Sequence, residues 1–159
     1  MNNYKATVFW RSDDAAFTRN QYSRHHIWRF DGGLEINASA SPHVVPEPYS
    51  DPAAVDPEEA FIASLASCHM LWFLSIAAKK GYAVADYRDE AEGVMEKNTK
   101  GKIAITEVIL HPEVTFEKDA SPDQSTFDDL HHQAHEKCFI ANSVKTKVRI
   151  EPVLKAGVQ

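Results

Sequence analysis

The stretch that decides the fold is DPEEAFIASLASCH, residues 56–69, because it begins a long apolar helix. Asp56 is a favourable N-cap, Pro57 suits the first helical position, and two glutamates follow at the positive end of the helix dipole. The next 19 residues, 60–78, carry no formal charge, and Gly81 follows two lysines as a helix stop. The pattern therefore predicts one helix of about six turns.

The uncharged part of this helix approaches the length that would cross a membrane. Its charged start, its lysine-rich end and its internal polar residues, such as Ser64, Ser67 and His69, are typical of a buried helix in a water-soluble protein. We therefore expect the helix to lie in the middle of the fold or in a dimer core, and we expect no membrane partner.

Strand-like segments surround the helix on both sides. Alternating apolar and polar residues predict strands, glycine-rich segments predict turns, and prolines between residues 41 and 57 predict an extended connector. Asp13-Asp14 is expected to end the first strand, and Ser121-Pro122-Asp123 to cap a second helix. The predicted strands are residues 4–10, 22–30, 34–38, about 83–97, about 102–116 and 144–154. The order β-β-β-α-β-β-α-β predicts an α+β fold in a single domain, residues 1–159.

Composition excludes several classes of protein. The 159 residues carry a net charge of −6, which argues against a nucleic-acid partner. An apolar fraction of 43% is too high for a disordered chain. A secretory signal is not evident at the start, and two cysteines are far fewer than a disulfide scaffold needs, so we expect a cytoplasmic protein with reduced thiols.

The two cysteines, Cys68 and Cys138, are the candidate reactive groups. Either could be an inert buried thiol, a metal ligand or half of a redox pair. A disulfide would need the two Cα atoms to lie within about 7 Å, which a separation of 70 residues neither requires nor forbids. A reactive Cys68 would need a nearby cation, and the candidates are the N-terminal arginines Arg11, Arg19, Arg24 and Arg29.

Two segments together resemble the OsmC/Ohr family. Residues 56–68 resemble the family's segment that opens the central helix and carries its first cysteine, with Glu58 ten residues before Cys68. Residues 134–138, AHEKC, followed by Asn142 and Ser143, resemble its second cysteine segment. The resemblance implies an OsmC-like fold with antiparallel sheets around long central helices, in an intertwined homodimer.

The resemblance also implies an activity. It is that of a thiol-dependent peroxidase that reduces organic hydroperoxides without a cofactor or metal and is recycled by an external dithiol reductant. By position, Cys68 would be the peroxidatic cysteine and Cys138 the resolving one, with Glu58 and Arg24 organising the site; Arg19 is the alternative arginine. Ten helical residues span about 15 Å. We therefore expect Glu58 at each site to come from the other subunit.

Two alternatives stay open at this stage. His131, His135 and Cys138 recur at helical spacing and could bind zinc with Asp128, His25 or His26 as a fourth ligand. The protein could also bind a small apolar or electrophilic ligand around Cys68 without peroxide turnover, because a fold does not guarantee a chemistry. For the peroxidase, we expect Phe61, Leu65, Leu71 and Trp72 to form an apolar wall that suits an alkyl hydroperoxide over hydrogen peroxide.

Overall fold

Two structural units make up the chain, residues 1–60 and 61–159, and the computed structural model describes residues 1–12 and 16–155. The secondary structure is α+β, as the sequence predicts. The strands of the first unit are β1 (Ala6–Phe9), β2 (His26–Phe30) and β3 (Glu35–Ala38), and they form one antiparallel sheet in that order. The predicted break at Asp13-Asp14 lies outside the described residues.

The glycine-rich turn between the predicted strands 22–30 and 34–38 is confirmed: β2 and β3 form a hairpin whose turn uses Gly33 at a φ of 86°, where a side chain would be strained. The second strand is shorter than predicted and begins at His26 instead of Tyr22. The backbone N–H of Arg24 donates to the Tyr49 carbonyl of the proline-rich connector at 2.9 Å, so this segment pairs outside the sheet. The connector is irregular apart from a bridge between Ala38 and Val55.

The predicted long helix is α1 (Pro57–Lys79). Its start is a capping box: the Asp56 side chain accepts from the Glu59 N–H at 2.8 Å, and the Glu59 carboxylate accepts from the Asp56 N–H at 3.5 Å. By length and composition alone, α1 could cross a membrane. The core helix of a soluble protein passes the same test, so this measure is weak evidence for a span.

The remaining elements are β4 (Val84–Asp89), β5 (Glu92–Lys97), β6 (Ile103–Leu110), β7 (Pro112–Phe116), α2 (Gln124–Lys137), β8 (Lys147–Ile150) and β9 (Val153–Leu154). Each of the three long strands predicted after the helix is therefore two strands. The chain changes sheet at every break, which gives two three-stranded sheets, β4-β7-β9 and β5-β6-β8. Pro112 and Pro152 follow two of the breaks, and neither residue has a backbone N–H to donate to a neighbouring strand.

The three breaks lie side by side around His111. Its backbone N–H donates to the Asp89 carboxylate at 2.7 Å, and its ring nitrogens lie 3.2 Å from Glu92 and 3.4 Å from Glu151. These contacts connect residues from all three breaks. A sequence pattern with a period of two cannot show such a corner, because the alternation resumes beyond it.

The core of the second unit has two parts. In one part, residues of α1 pack with β7 and α2 around Phe73, Phe116 and Phe127. In the other, Leu65 packs with Val108 and Leu110 of β6. Burial along α1 recurs at helical spacing, at Leu65, His69, Phe73, Ile76 and Ala77. This stripe turns the neighbouring face of α1, which carries Cys68, away from the core.

Candidate active site

The two cysteines, distant in sequence, meet in the second unit. Cys68 lies in the middle of α1 and is half-buried, whereas Cys138 is buried with 2% of its surface exposed. The helical spacing of His131, His135 and Cys138 predicts that all three lie in the second helix, but in the structure Cys138 is the C-cap that follows the last residue of α2. The backbone N–H of Cys138 donates to the His135 carbonyl at 3.2 Å. The side chains of the two cysteines are within hydrogen-bonding reach of each other.

Burial is the main cause that raises the pKa of the Cys138 thiol, and the hydrogen bond with Cys68 raises it further. The backbone N–H groups of Ala141 and Ile140 act in the opposite direction, and the Ala141 N–H donates to the Cys138 sulfur at 3.4 Å. Because the raising effects are larger, Cys138 keeps its proton at neutral pH. The half-buried Cys68 is the thiol that a solvent-borne reactant can reach.

An open pocket of about 530 Å³ lies beside Cys68. Its lining residues come from one face of α1 and from the segment after Cys138, and they are Ser64, Ser67, Cys68, Leu71, Trp72, Ser75, Phe139 and Ile140. Trp72 and Phe139 meet edge to face with their ring centres 5.4 Å apart. The wall is therefore mostly apolar, with one cysteine sulfur and a few hydroxyl groups.

The predicted wall is partly wrong. Leu71 and Trp72 line the pocket, but Leu65 is fully buried in the core and Phe61 packs against that core. Sequence reasoning missed Phe139 and Ile140, which follow Cys138 and also line the pocket. Helical spacing from Cys68 would have indicated Ser64 and Trp72, which recur four residues to either side of it.

The N-terminal unit holds the other predicted site residues. The Arg24 guanidinium lies 3.7 Å from the centre of the Tyr22 ring and donates to the Asn20 side chain and the Tyr22 carbonyl, both at 2.5 Å. No carboxylate among the described residues pairs with it. Arg19, the alternative, is exposed at the end of a short 3₁₀ turn, and Glu58 is half-buried in the first turn of α1.

The histidine cluster is arranged differently from the zinc alternative. The ring of His131 bonds to His69 of α1 at 3.0 Å, whereas Cys138 is directed to Cys68. Across the described ranges, no group of three or more His, Cys, Asp or Glu side chains is placed to hold a metal ion. The role of His69 in this cluster was missed, because nothing in a sequence shows which residues of two helices face each other.

Comparison with known proteins agrees with this architecture. The model of the OsmC-like protein family matches residues 50–153. An OsmC-like protein of unknown function from Vibrio cholerae is 56% identical, with a TM-score of 0.94 over 96% of this chain and 100% of that one. No curated protein has a significantly similar sequence.

Two more distant structures share the fold. An organic hydroperoxide resistance protein from Elizabethkingia anophelis is 15% identical with a TM-score of 0.70, over 98% of this chain and 97% of that one. The organic hydroperoxide resistance protein OhrB of Bacillus subtilis is 20% identical with a TM-score of 0.64, over 97% and 98%. The family match over most of the chain, together with the Vibrio relative, shows that this chain belongs to the OsmC-like protein family.

Proposed function

We propose that the protein is a cysteine peroxidase that reduces organic hydroperoxides to alcohols. The observation that carries the proposal is the contact between Cys68 and Cys138 beside an apolar pocket. Membership of the OsmC-like family supports it, as do the names of two structural relatives, which are organic hydroperoxide resistance proteins.

The chemistry assigns different tasks to the two thiols. The Cys68 thiolate attacks the outer oxygen of the hydroperoxide, the O–O bond breaks, and the alkoxide leaves as an alcohol after it takes up a proton. Cys68 is then a sulfenic acid. The Cys138 sulfur attacks it, an S–S bond forms, and the hydroxyl group leaves as water. An external dithiol returns both cysteines to thiols by exchange.

The environment of each thiol fits its task. Cys68 borders the pocket, where a peroxide can approach, whereas Cys138 is enclosed and kept protonated until a sulfenic acid forms beside it. The contact between the two sulfurs makes the second step effectively unimolecular. The apolar wall contributed by Leu71, Trp72 and Phe139 favours a peroxide with an alkyl or aryl group over hydrogen peroxide.

Arg24 and Glu58 complete the proposed site from a homodimer. A guanidinium beside Cys68 would stabilise the thiolate and the departing alkoxide, and a carboxylate would orient the guanidinium. Much of α1 lacks cover in one chain: five of its 23 residues are buried, and Leu71 is 61% exposed. A second copy would cover this surface, and we expect a cytoplasmic dimer in which reduced thiols are maintained.

The test follows cumene hydroperoxide loss in the presence of a dithiol reductant. With the reductant present, the wild-type protein should turn over and Cys68→Ser should not; without it, Cys138→Ser should perform one reaction and stop as a sulfenic acid that dimedone traps. Hydrogen peroxide should be consumed more slowly than cumene hydroperoxide. If Cys68→Ser keeps full activity the mechanism is wrong, and if the wild-type protein consumes no peroxide the pocket serves binding alone.

A further inference from the structure

A buried pair of histidines joins the same two helices that carry the cysteines. His69 of α1 is 1% exposed and His131 of α2 is 2% exposed. The Nε2 atom of His69 lies 3.0 Å from the Nδ1 atom of His131, so one ring donates its N–H to the other. Cys68 precedes His69 directly, and Cys138 follows His131 by seven residues, which is two helical turns.

The geometry is that of a directed hydrogen bond. The ring planes differ by 6° and the ring centres are 5.3 Å apart. That separation equals the 3.0 Å bond plus the distance from each centre to its bonding nitrogen, so the rings lie edge to edge in one plane. The lone pair of an imidazole nitrogen lies in the ring plane, so this is the arrangement that aligns donor and acceptor.

Aromatic neighbours fix the orientation of His131. Phe73 of α1 stacks on its face at 4.2 Å between ring centres, and Phe127 meets it edge-on at 4.7 Å. His131 therefore contacts α1 at two residues one turn apart, His69 and Phe73. Rotation of α1 about its axis, or sliding of α2 across it, would break the hydrogen bond in a place that water does not reach.

Both rings are neutral at neutral pH, so one of the two bonding nitrogens donates its N–H and the other accepts. Burial lowers the pKa of His69 to about 4, with His135 as a second cause, and burial together with His69 lowers the pKa of His131 to about 3. In either tautomer pair, His69 Nδ1 and His131 Nε2 stay buried without a partner. A purely apolar pair would avoid that cost, so the polar pair provides a specific alignment at the expense of stability.

We propose that His69 and His131 are positioning residues that hold α1 against α2 so that Cys68 and Cys138 stay within reaction distance. The proposal rests on the proposed function, because it concerns formation of the Cys68–Cys138 disulfide. The hydrogen bond between the two histidines does not involve either sulfur. It fixes the position of α1 relative to α2, and these helices position Cys68 and Cys138. Its loss should lower the effective concentration of one thiol at the other.

Matched substitutions separate the hydrogen bond from the volume of the ring. Glutamine at 69 and asparagine at 131 keep a polar atom close to the positions of Nε2 and Nδ1, whereas methionine and leucine keep similar volume without it. The informative comparisons are His69→Gln with His69→Met, and His131→Asn with His131→Leu. Leu130→Ala, a buried residue of α2, is the control for general loosening of the core.

The measurement is the equilibrium between dithiol and disulfide in the full chain, in anaerobic buffers of oxidised and reduced glutathione, read by alkylation and mass spectrometry. His69→Met and His131→Leu should shift the equilibrium toward the dithiol by about three- to tenfold. His69→Gln, His131→Asn and Leu130→Ala should stay within about twofold of the wild type.

Three outcomes would overturn the proposal. If the dithiol–disulfide equilibrium is the same in His69→Met as in His69→Gln, and the same in His131→Leu as in His131→Asn, the hydrogen bond does not position the thiols. An equal shift in Leu130→Ala would assign the effect to core loosening. A wild-type protein that forms no Cys68–Cys138 disulfide would refute the intramolecular step of the proposed function as well, and that result is distinct from the other two.

Discussion

Acid should destabilise the protein through the His69–His131 pair, and the size of the effect follows from the burial of the two rings. In the unfolded chain each imidazole takes up a proton near its ordinary pKa of 6.5. In the folded protein the pKa values are about 4 for His69 and about 3 for His131. The unfolded state therefore binds more protons, and folding stability falls as the pH drops below the unfolded value.

The magnitude depends little on the folded pKa values as long as the pH stays above them. Between about pH 8 and about pH 5, protonation of each ring stabilises the unfolded state by about 2 kcal/mol. The free energy of unfolding therefore falls by about 4 kcal/mol for the pair. The loss continues at lower pH until each folded pKa is passed. Stability from the pair is thus fully present above about pH 7 and declines as the pH falls from 6.5 to about 4 for His69 and to about 3 for His131.

Urea unfolding at a fixed protein concentration measures this effect at a series of pH values. The double variant His69→Gln/His131→Asn keeps polar atoms in place and removes both titrating rings, so it should lose about 4 kcal/mol less than the wild type over the same range. His132→Gln, an exposed residue of the same helix, is the control and should follow the wild type. If the free energy of unfolding depends on pH in the same way in the wild type and the double variant, the interpretation of His69 and His131 as neutral buried rings is refuted.

Three further predictions concern the pocket, the thiols and α2. Trp72→Ala removes a wall of the pocket and should lower kcat/KM for cumene hydroperoxide by about tenfold or more, with little change for hydrogen peroxide, as steady-state kinetics would show. Iodoacetamide at about pH 8 should label Cys68 before Cys138, because burial raises the pKa of Cys138, and peptide mass spectrometry would reveal the opposite order if it occurred. Asp123→Ala removes the cap on the Thr126 N–H and should cost about 1 kcal/mol of unfolding free energy by urea titration, whereas Asp123→Asn should cost less.

Local patterns were sufficient for the helices. The capping residues before α1, the uncharged stretch within it and the glycine after it define its length to within a few residues. The same holds for α2, where Asp123 is the observed N-cap. Helix ends are encoded by short-range hydrogen bonds, so neighbouring residues carry the information.

The strands show where local patterns fail. The sequence predicts single strands over about 83–97, about 102–116 and 144–154, but the chain changes sheet between Asp89 and Glu92, at His111, and between Ile150 and Val153. Alternation resumes after each corner, so only the pairing partners reveal the change. The His111 contacts with Glu92 and Glu151 join residues that lie far apart along the chain.

By itself the sequence determined the α+β class, the two helices, the family and the two thiols, because each is written in short motifs or in periodic burial. Only the tertiary structure decided that Cys68 meets Cys138, that Leu65 belongs to the core while Phe139 belongs to the pocket, and that His69 bonds to His131. The physical reason is the range of the interactions. A helix forms from contacts three or four residues apart, whereas the thiol contact spans 70 residues and the imidazole bond spans 62, so both depend on how α1 and α2 pack.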